Sequence, residues 1–275
     1  MTLLDGMLIQ IILFILIFLG MGLCIDLLKI IHGKIFFSSD IIMTISGYIG
    51  IPVHEIFHLL MVLIFGYKVK NVSLIEKQGS VLYGHVDYVY NRYSIIHVIG
   101  LFFAATAPFV LGLSLLGLML KLIDPNIFNQ LINLNFDYSF ISFKALMTDL
   151  FLQFFDSFKI LLNLKIFSWK SIIFFILGTS IALYSSLSVA DVKAAFKSMK
   201  YIFPIFLIFN IALYFISYHS YYDVIGVIIS VAKIVFSLFS ISIVLILFLF
   251  ALSFIMHIFT QLYHLSKKTK NNEGV

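Results

Sequence analysis

Charged residues are scarce in this chain of 275 residues, at 11% of the total, while 62% of the residues are hydrophobic. A soluble domain has about a quarter of its residues charged and about half apolar, so this chain has too few charges to build a water-facing surface. Cysteine is scarcer still, because Cys24 is the single one. That excludes an intrachain disulfide and a cysteine-based zinc cluster. The composition predicts an integral membrane protein whose metal site, if it has one, uses histidine and carboxylate ligands.

Six apolar runs are long enough to cross a bilayer core of about 30 Å at about 1.5 Å per residue. They cover residues 7–25, 41–65, about 93–120, about 169–190, about 201–217 and 224–257. The last run has no glycine or proline near its middle to reverse the chain, so it predicts one long helix, with Lys233 snorkelling near an end. The sequence therefore predicts an all-α polytopic membrane protein with about six transmembrane helices in a single domain over 1–275.

Two segments between the spans carry patterns of their own. Residues 67–90 alternate roughly with period two around Lys77-Gln78-Gly79-Ser80, which predicts a small β-hairpin between spans two and three. Residues 139–166 predict an interfacial amphipathic helix, because their polar side chains share one helical face opposite Phe and Leu. Those polar side chains are Ser142, Asp149, Gln153, Asp156 and Asn163.

The chain has a net charge of +5, and its basic residues fall between the apolar runs. Basic residues in that position are typical of topology signals that face anionic lipid. We therefore expect the lipid bilayer as a partner and no nucleic acid. Six spans put both termini, the hairpin and the polar tail 266–275 on one side, which carries most of the basic residues. The positive-inside rule then predicts a multi-pass protein of the cell membrane with cytoplasmic N- and C-termini.

Span two contains His54-Glu55-Ile56-Phe57-His58, an H-E-x-x-H sequence. Histidines four residues apart on a helix lie on the same face, close enough to share one zinc ion, and Glu55 stands beside them to take a proton from a bound water. Two histidines and a glutamate at membrane depth cost several kcal/mol unless they are paired or bound to a metal. The motif predicts Zn²⁺ ligands at His54 and His58 and a catalytic base at Glu55.

A catalytic zinc needs a third protein ligand and one open position. Span four has an unusually polar end on the histidine side, which makes Asp191 the first choice. Its carboxylate reaches the histidines only if the helix end bends or unwinds, and hydroxyls at Ser185, Ser186 and Ser188 favour such a break. His85, Asp87 and His97 are the alternative third ligands.

These features together resemble the site-2 protease family of intramembrane zinc metallopeptidases. The resemblance covers about a quarter of the chain, over residues 54–112 and around SLSVADVK, residues 186–193. It implies zinc ligation by His54 and His58, a general base at Glu55, and Ala107-Pro108 as a helix-packing element near the site. It also implies a catalytic core over about 41–200. The family's aspartate is usually followed by glycine, whereas Val192 follows Asp191 here.

The resemblance implies that the protein hydrolyses peptide bonds in or near transmembrane segments of a membrane-protein substrate. The free edge of the hairpin offers a place for an unwound substrate segment to pair as an added strand. Tyr83, Tyr88 and Tyr90 are candidate substrate-binding residues on the hairpin. Two other functions remain open from the sequence: a zinc-binding membrane scaffold without catalysis, and a polytopic transporter with a polar His/Glu/Asp site.

Overall fold

The computed structural model describes residues 2–36, 40–79, 81–132, 143–164 and 168–272. Helices dominate this part of the chain, and two antiparallel strands form its small sheet. A π-helical stretch, Leu16–Met21, joins the first two helices. In chain order the other elements are α1 (Leu3–Ile15), α2 (Gly22–Ile35), α3 (Asp40–Ile64), β1 (Lys68–Gln78), β2 (Val81–Val89), α4 (Ile95–Ile123), α5 (Pro125–Ile132), α6 (Phe143–Leu161), α7 (Trp169–Tyr184), α8 (Val189–Ile216) and α9 (Tyr218–Asn272).

The predicted fold class is confirmed. Five stretches of helix are long and apolar enough to cross a membrane, and the hairpin lies between the second and third of them. These stretches are Leu3–Ile35, Ile42–Ile64, Ile95–Ile123, Val189–Ile216 and Tyr218–Leu262. α7 is apolar as well but has only 16 residues. α4 is the innermost of these helices, since Phe109, Leu116 and Leu120 on it are fully buried.

The predicted fourth and fifth spans, 169–190 and 201–217, have different bounds in the structure. α7 ends at Tyr184, and α8 begins at Val189, after four intervening residues. The reason is a reciprocal cap in which the Ser188 hydroxyl accepts from the Asp191 amide (3.1 Å) and the Ser188 amide donates to the Asp191 carboxylate (2.9 Å). A capping box of this kind starts a helix at that point. Residues 191–200, between the two predicted spans, are therefore the first part of α8.

The last helix is longer than predicted. The sequence predicts a single helix over 224–257, and α9 is indeed unbroken, but it runs from Tyr218 to Asn272 over 55 residues. At about 1.5 Å per residue it is roughly 80 Å long, well beyond the thickness of a bilayer. The predicted tail 266–275 therefore begins as helix, and residues 273–275 lie outside the described part of the chain.

The predicted amphipathic helix corresponds to α6, with 139–142 and 165–166 outside the described residues. Its polar side packs on α9, where the Gln153 amide donates to the Lys233 carbonyl (3.0 Å) and to the Ser237 hydroxyl (2.9 Å). Its opposite side is exposed and apolar, with Phe151, Leu152 and Phe155. The amphipathic pattern thus attaches α6 to the last span.

The prediction for Lys233 is wrong. We expected this lysine to snorkel near the end of its span, but it is only 4% exposed and forms an ion pair with Asp149 of α6. A charge inside the apolar region is tolerated when a carboxylate neutralises it. The docking of α6 supplies that carboxylate, so Lys233 does not need to extend to the interface.

Removing one partner of this ion pair is expected to destabilise the protein. Asp149→Leu leaves the Lys233 ammonium in apolar surroundings without that carboxylate. The expected loss is about 1 to 3 kcal/mol, less than for a fully buried pair, because the Asp149 side chain is 53% exposed. Thermal unfolding in detergent measures it. Asp149→Leu combined with Lys233→Met should recover most of the loss, and equal losses in the single and double variants would contradict the pairing.

Candidate metal centre

His54 and His58 meet on one face of α3, with their Nε2 atoms 3.0 Å apart. The start of α8 places Asp191 beside them, with Oδ1 3.3 Å from His58 Nε2 and Oδ2 3.9 Å from His54 Nε2. All three side chains are largely shielded, at 12 to 14% exposure. In the described part of the chain, these three residues form the group whose ligand atoms converge closely enough to hold a metal ion.

The other ring nitrogen of each histidine fixes its tautomer. His54 Nδ1 lies 2.7 Å from the Tyr184 carbonyl oxygen, and His58 Nδ1 lies 2.8 Å from the Ala104 carbonyl oxygen. A carbonyl only accepts, so both Nδ1 atoms carry hydrogens and, in neutral rings, both Nε2 atoms carry lone pairs. The two Nε2 atoms are 3.0 Å apart, so their lone pairs repel each other, and the nearby Asp191 carboxylate adds to the repulsion. The arrangement therefore favours a cation held between them.

The break between α7 and α8 supplies two of these contacts at once. In a continuous helix the Ser188 amide would donate to the Tyr184 carbonyl four residues earlier. Here that amide donates to Asp191 Oδ2 at 2.9 Å. The Tyr184 carbonyl is thereby left for His54, and the Asp191 carboxylate is held with Oδ1 toward His58. The expected interruption near the serines thus orients two of the three candidate ligands.

Glu55 is buried at 8% exposure and lies directly under the hairpin. A Cβ atom at Gly84 of β2 would be 2.6 Å from Glu55 Cγ and 2.9 Å from the Leu74 carbonyl oxygen. Only glycine therefore lets the strand approach this closely. Our sequence reasoning missed Gly84, although a glycine inside a strand pattern is the usual signal for such an approach.

The two faces of β2 have different surroundings. The register shifts of the hairpin leave the extra residues on β1, so β2 alternates regularly. Tyr88 packs inward against Tyr67 with ring centroids 5.3 Å apart, next to Ala104. Burial raises the pKa of Tyr88 to about 12, and the Asp191 carboxylate acts in the same direction. Tyr88 is therefore a neutral phenol within electrostatic reach of the candidate ligand Asp191.

The other two predicted tyrosines have different partners. Tyr83 points outward, 38% exposed, and donates to the Glu76 carboxylate at 2.7 Å, which lowers the pKa of Glu76. Tyr90 packs on Tyr67, and the Lys197 ammonium lies 5.6 Å from its ring centroid. Of the three tyrosines, Tyr88 is therefore the one with an electrostatic interaction with a candidate ligand, Asp191.

The alternative third ligands have other partners. His85 lies on the outer face of the hairpin, with Nε2 3.8 Å from Asp87 and 3.1 Å from the Asn71 amide nitrogen. His97 Nδ1 accepts from the Asn91 amide at 2.9 Å, at the start of α4. Neither histidine, nor Asp87, belongs to the convergent group found among the described residues.

A cavity of about 550 Å³ lies beside the centre, among the first span, α4, α8 and α9. Leu187 and Val192, on either side of Ser188 and Asp191 in sequence, are part of its wall. Apart from Gln10 and Thr106, the lining side chains are apolar. A cavity of this composition suits an apolar chain better than a hydrated ion.

Comparison of the chain with protein-family models, curated proteins and solved structures finds no match.

Proposed function

We propose that this protein is an intramembrane zinc metalloprotease that hydrolyses peptide bonds in or near transmembrane segments of membrane proteins. The observation that carries the proposal is the convergence of His54, His58 and Asp191 beside Glu55. Zinc ligands at about 2.0 to 2.1 Å in tetrahedral geometry lie about 3.3 to 3.4 Å from one another. The separations here are 3.0, 3.3 and 3.9 Å. Three protein ligands leave the fourth position open, as hydrolysis requires.

Glu55 has the central role in the proton transfers. Zinc, when bound, supplies a Lewis acid that polarises the scissile carbonyl and acidifies the attacking water. Glu55 takes one proton from that water while the water oxygen bonds to the carbonyl carbon. Glu55 then passes the proton to the nitrogen of the leaving amine as the C–N bond breaks. His54 and His58 keep their Nδ1 hydrogens on backbone carbonyls throughout.

The surroundings of the site support a membrane-protein substrate. Carbonyls in a transmembrane helix are engaged within the helix, so a substrate must unwind locally before it can be cleaved. The hairpin, which closes over Glu55 at Gly84, offers backbone groups to an extended segment. Tyr88 would contact the side chains of that segment, and the apolar cavity bounded by Leu187 and Val192 would accommodate apolar ones.

The alternative functions are less well supported. An ion or proton path requires polar groups at successive depths, whereas His54, His58 and Asp191 converge at one point and the neighbouring cavity is lined largely by apolar side chains. A scaffold that binds zinc without catalysis does not require a buried carboxylate at Glu55 beside the ligands. The protease accounts for all four residues.

Purified protein in liposomes provides the test. We expect it to cleave at least one member of a panel of single-span peptides labelled at both ends. A strong zinc chelator should stop the cleavage, and added zinc should restore it. Cleavage that survives removal of all metal, or a metal-bound protein that cleaves no member of the panel, would contradict the proposal.

Gly84→Ala is expected to reduce cleavage without removing zinc. The added Cβ would meet Glu55 Cγ and the Leu74 carbonyl, so the hairpin must lift or Glu55 must move. A displacement of about 1 Å near the reacting atoms costs roughly 10²-fold in rate. Gly33→Ala is the matched control, because nothing lies within 4 Å of a Cβ placed there. Equal rates for Gly84→Ala and wild type would show that the close approach is unimportant.

With α7 as a sixth, shorter span beside the five long ones, the proposed orientation places both termini and the hairpin in the cytoplasm. In a Cys24→Ser background, a cysteine introduced at Gln78, at the end of β1, should resist an impermeant thiol reagent in intact cells and react after lysis. A cysteine at Asn271 should behave in the same way. Labelling of either position from outside would reverse the orientation.

A further inference from the structure

α4 lacks one backbone hydrogen bond, at the carbonyl that holds His58. Pro108 lies inside this helix and is buried. Proline has no amide hydrogen for the carbonyl four residues earlier, and its ring crowds that same carbonyl. The affected carbonyl is that of Ala104, which accepts from His58 Nδ1 at 2.8 Å. We propose that Pro108 is a positioning residue for the metal centre, because it frees the Ala104 carbonyl to fix the orientation and tautomer of His58.

Burial makes the freed carbonyl depend on His58. Ala104 is 1% exposed, so its backbone oxygen has little access to water. An unsatisfied carbonyl at membrane depth costs several kcal/mol, and prolines are tolerated in spans where a neighbouring helix satisfies the freed group. His58 of α3 satisfies it here. The same hydrogen bond holds the His58 ring with Nε2 toward His54 and Asp191. Hydrogen bonds to the second ring nitrogen orient metal-binding histidines in this way.

His54 is also held by a backbone carbonyl that lacks its usual partner within a helix. The Tyr184 carbonyl is available to His54 because α7 stops at Tyr184. The proline turn of α4 and the break after α7 also lie close together, since a Cβ at Gly112, one turn after Pro108, would lie 2.1 Å from Ser185 Oγ. Each histidine is therefore fixed by a carbonyl that has no amide partner four residues later in its own chain segment. Pro108 does for His58 what the break after α7 does for His54.

Zinc affinity tests this inference, which depends on the proposed metal site. Competition with a chelator should show that Pro108→Ala weakens zinc binding about 10- to 100-fold, the usual effect of losing an outer contact. The restored amide hydrogen at position 108 would draw the Ala104 carbonyl back into the helix. Pro204→Ala is the matched control, because Pro204 also lies inside a span but is exposed on α8. That variant should bind zinc as the wild type does.

A backbone ester separates the freed carbonyl from a simple packing role. Lactic acid at position 108 has the side chain of alanine but no amide hydrogen, so the Ala104 carbonyl stays free. We expect this variant to recover most of the affinity lost in Pro108→Ala. If both bind zinc equally weakly, the proline ring acts by packing and the inference is overturned. If Pro108→Ala binds zinc as tightly as the wild type, the inference about Pro108 is overturned but the proposed function is not. If the wild type binds no zinc, both are overturned.

Discussion

Glu55→Gln is expected to abolish cleavage while leaving zinc bound. Glutamine has nearly the same shape as glutamate, so it fits the buried site under Gly84, where the side chain is 8% exposed. It has no basic carboxylate to take the proton from water. Losing a positioned base typically costs about 10²- to 10⁴-fold in rate. Cleavage of a labelled transmembrane peptide, together with metal content of the same preparation, measures both effects.

Glu76→Gln is the matched control for this variant. Glu76 lies on the hairpin that covers Glu55, and its carboxylate accepts from the Tyr83 hydroxyl on the outer face. Its replacement should leave cleavage within about two-fold of wild type, as expected for a surface change. Cleavage by Glu55→Gln above a tenth of the wild-type rate would exclude Glu55 as the base. Loss of zinc in the same variant would instead indicate that Glu55 is a ligand.

Asp191→Ala is expected to weaken metal binding more than the replacement of any other carboxylate residue. It removes a ligand, so the loss should exceed the 10- to 100-fold typical of outer contacts. It also removes the carboxylate that caps Ser188. Ser188→Ala separates the two effects, because it deletes the hydroxyl of the capping box and keeps the Asp191 ligand. Zinc titration should show a much smaller loss for Ser188→Ala than for Asp191→Ala.

Asp156→Ala is the control for the Asp191 result. Asp156 is exposed on α6 and paired with Lys159 at 3.1 Å, so its removal should leave zinc binding unchanged. If Asp191→Ala bound zinc as tightly as the wild type, the third ligand would have to come from another group. The positions of His85, Asp87 and His97 make them poor replacements, since each lies outside the convergent group.

The histidine pair was predictable because its geometry is local. A helix fixes the spacing of residues four apart, so His54-x-x-x-His58 in an apolar run specifies a shared ligand face before any tertiary structure is known. The approach of Asp191 required a further inference, that the polar end of span four would break. The break is present, but its cause is a capping box that uses the ligand itself.

The outer contacts of the centre were not predictable to the same degree. Pro108 was expected to pack near the site, but its link to His58 passes through the Ala104 carbonyl on another helix. The tyrosines were chosen by residue type alone, and their separation into inner and outer faces depends on the register of the hairpin. Asp149 and Lys233 are 84 positions apart, so their pairing required knowledge of how α6 docks.

The metal content of the purified protein tests the central claim most directly. Protein prepared without chelators should carry close to one zinc per chain, because His54, His58 and Asp191 present three lone-pair donors with separations of 3.0 to 3.9 Å. Replacing both histidines by alanine should reduce the content to the background level. A wild-type preparation without zinc, or one whose zinc survives the double replacement, would contradict the account.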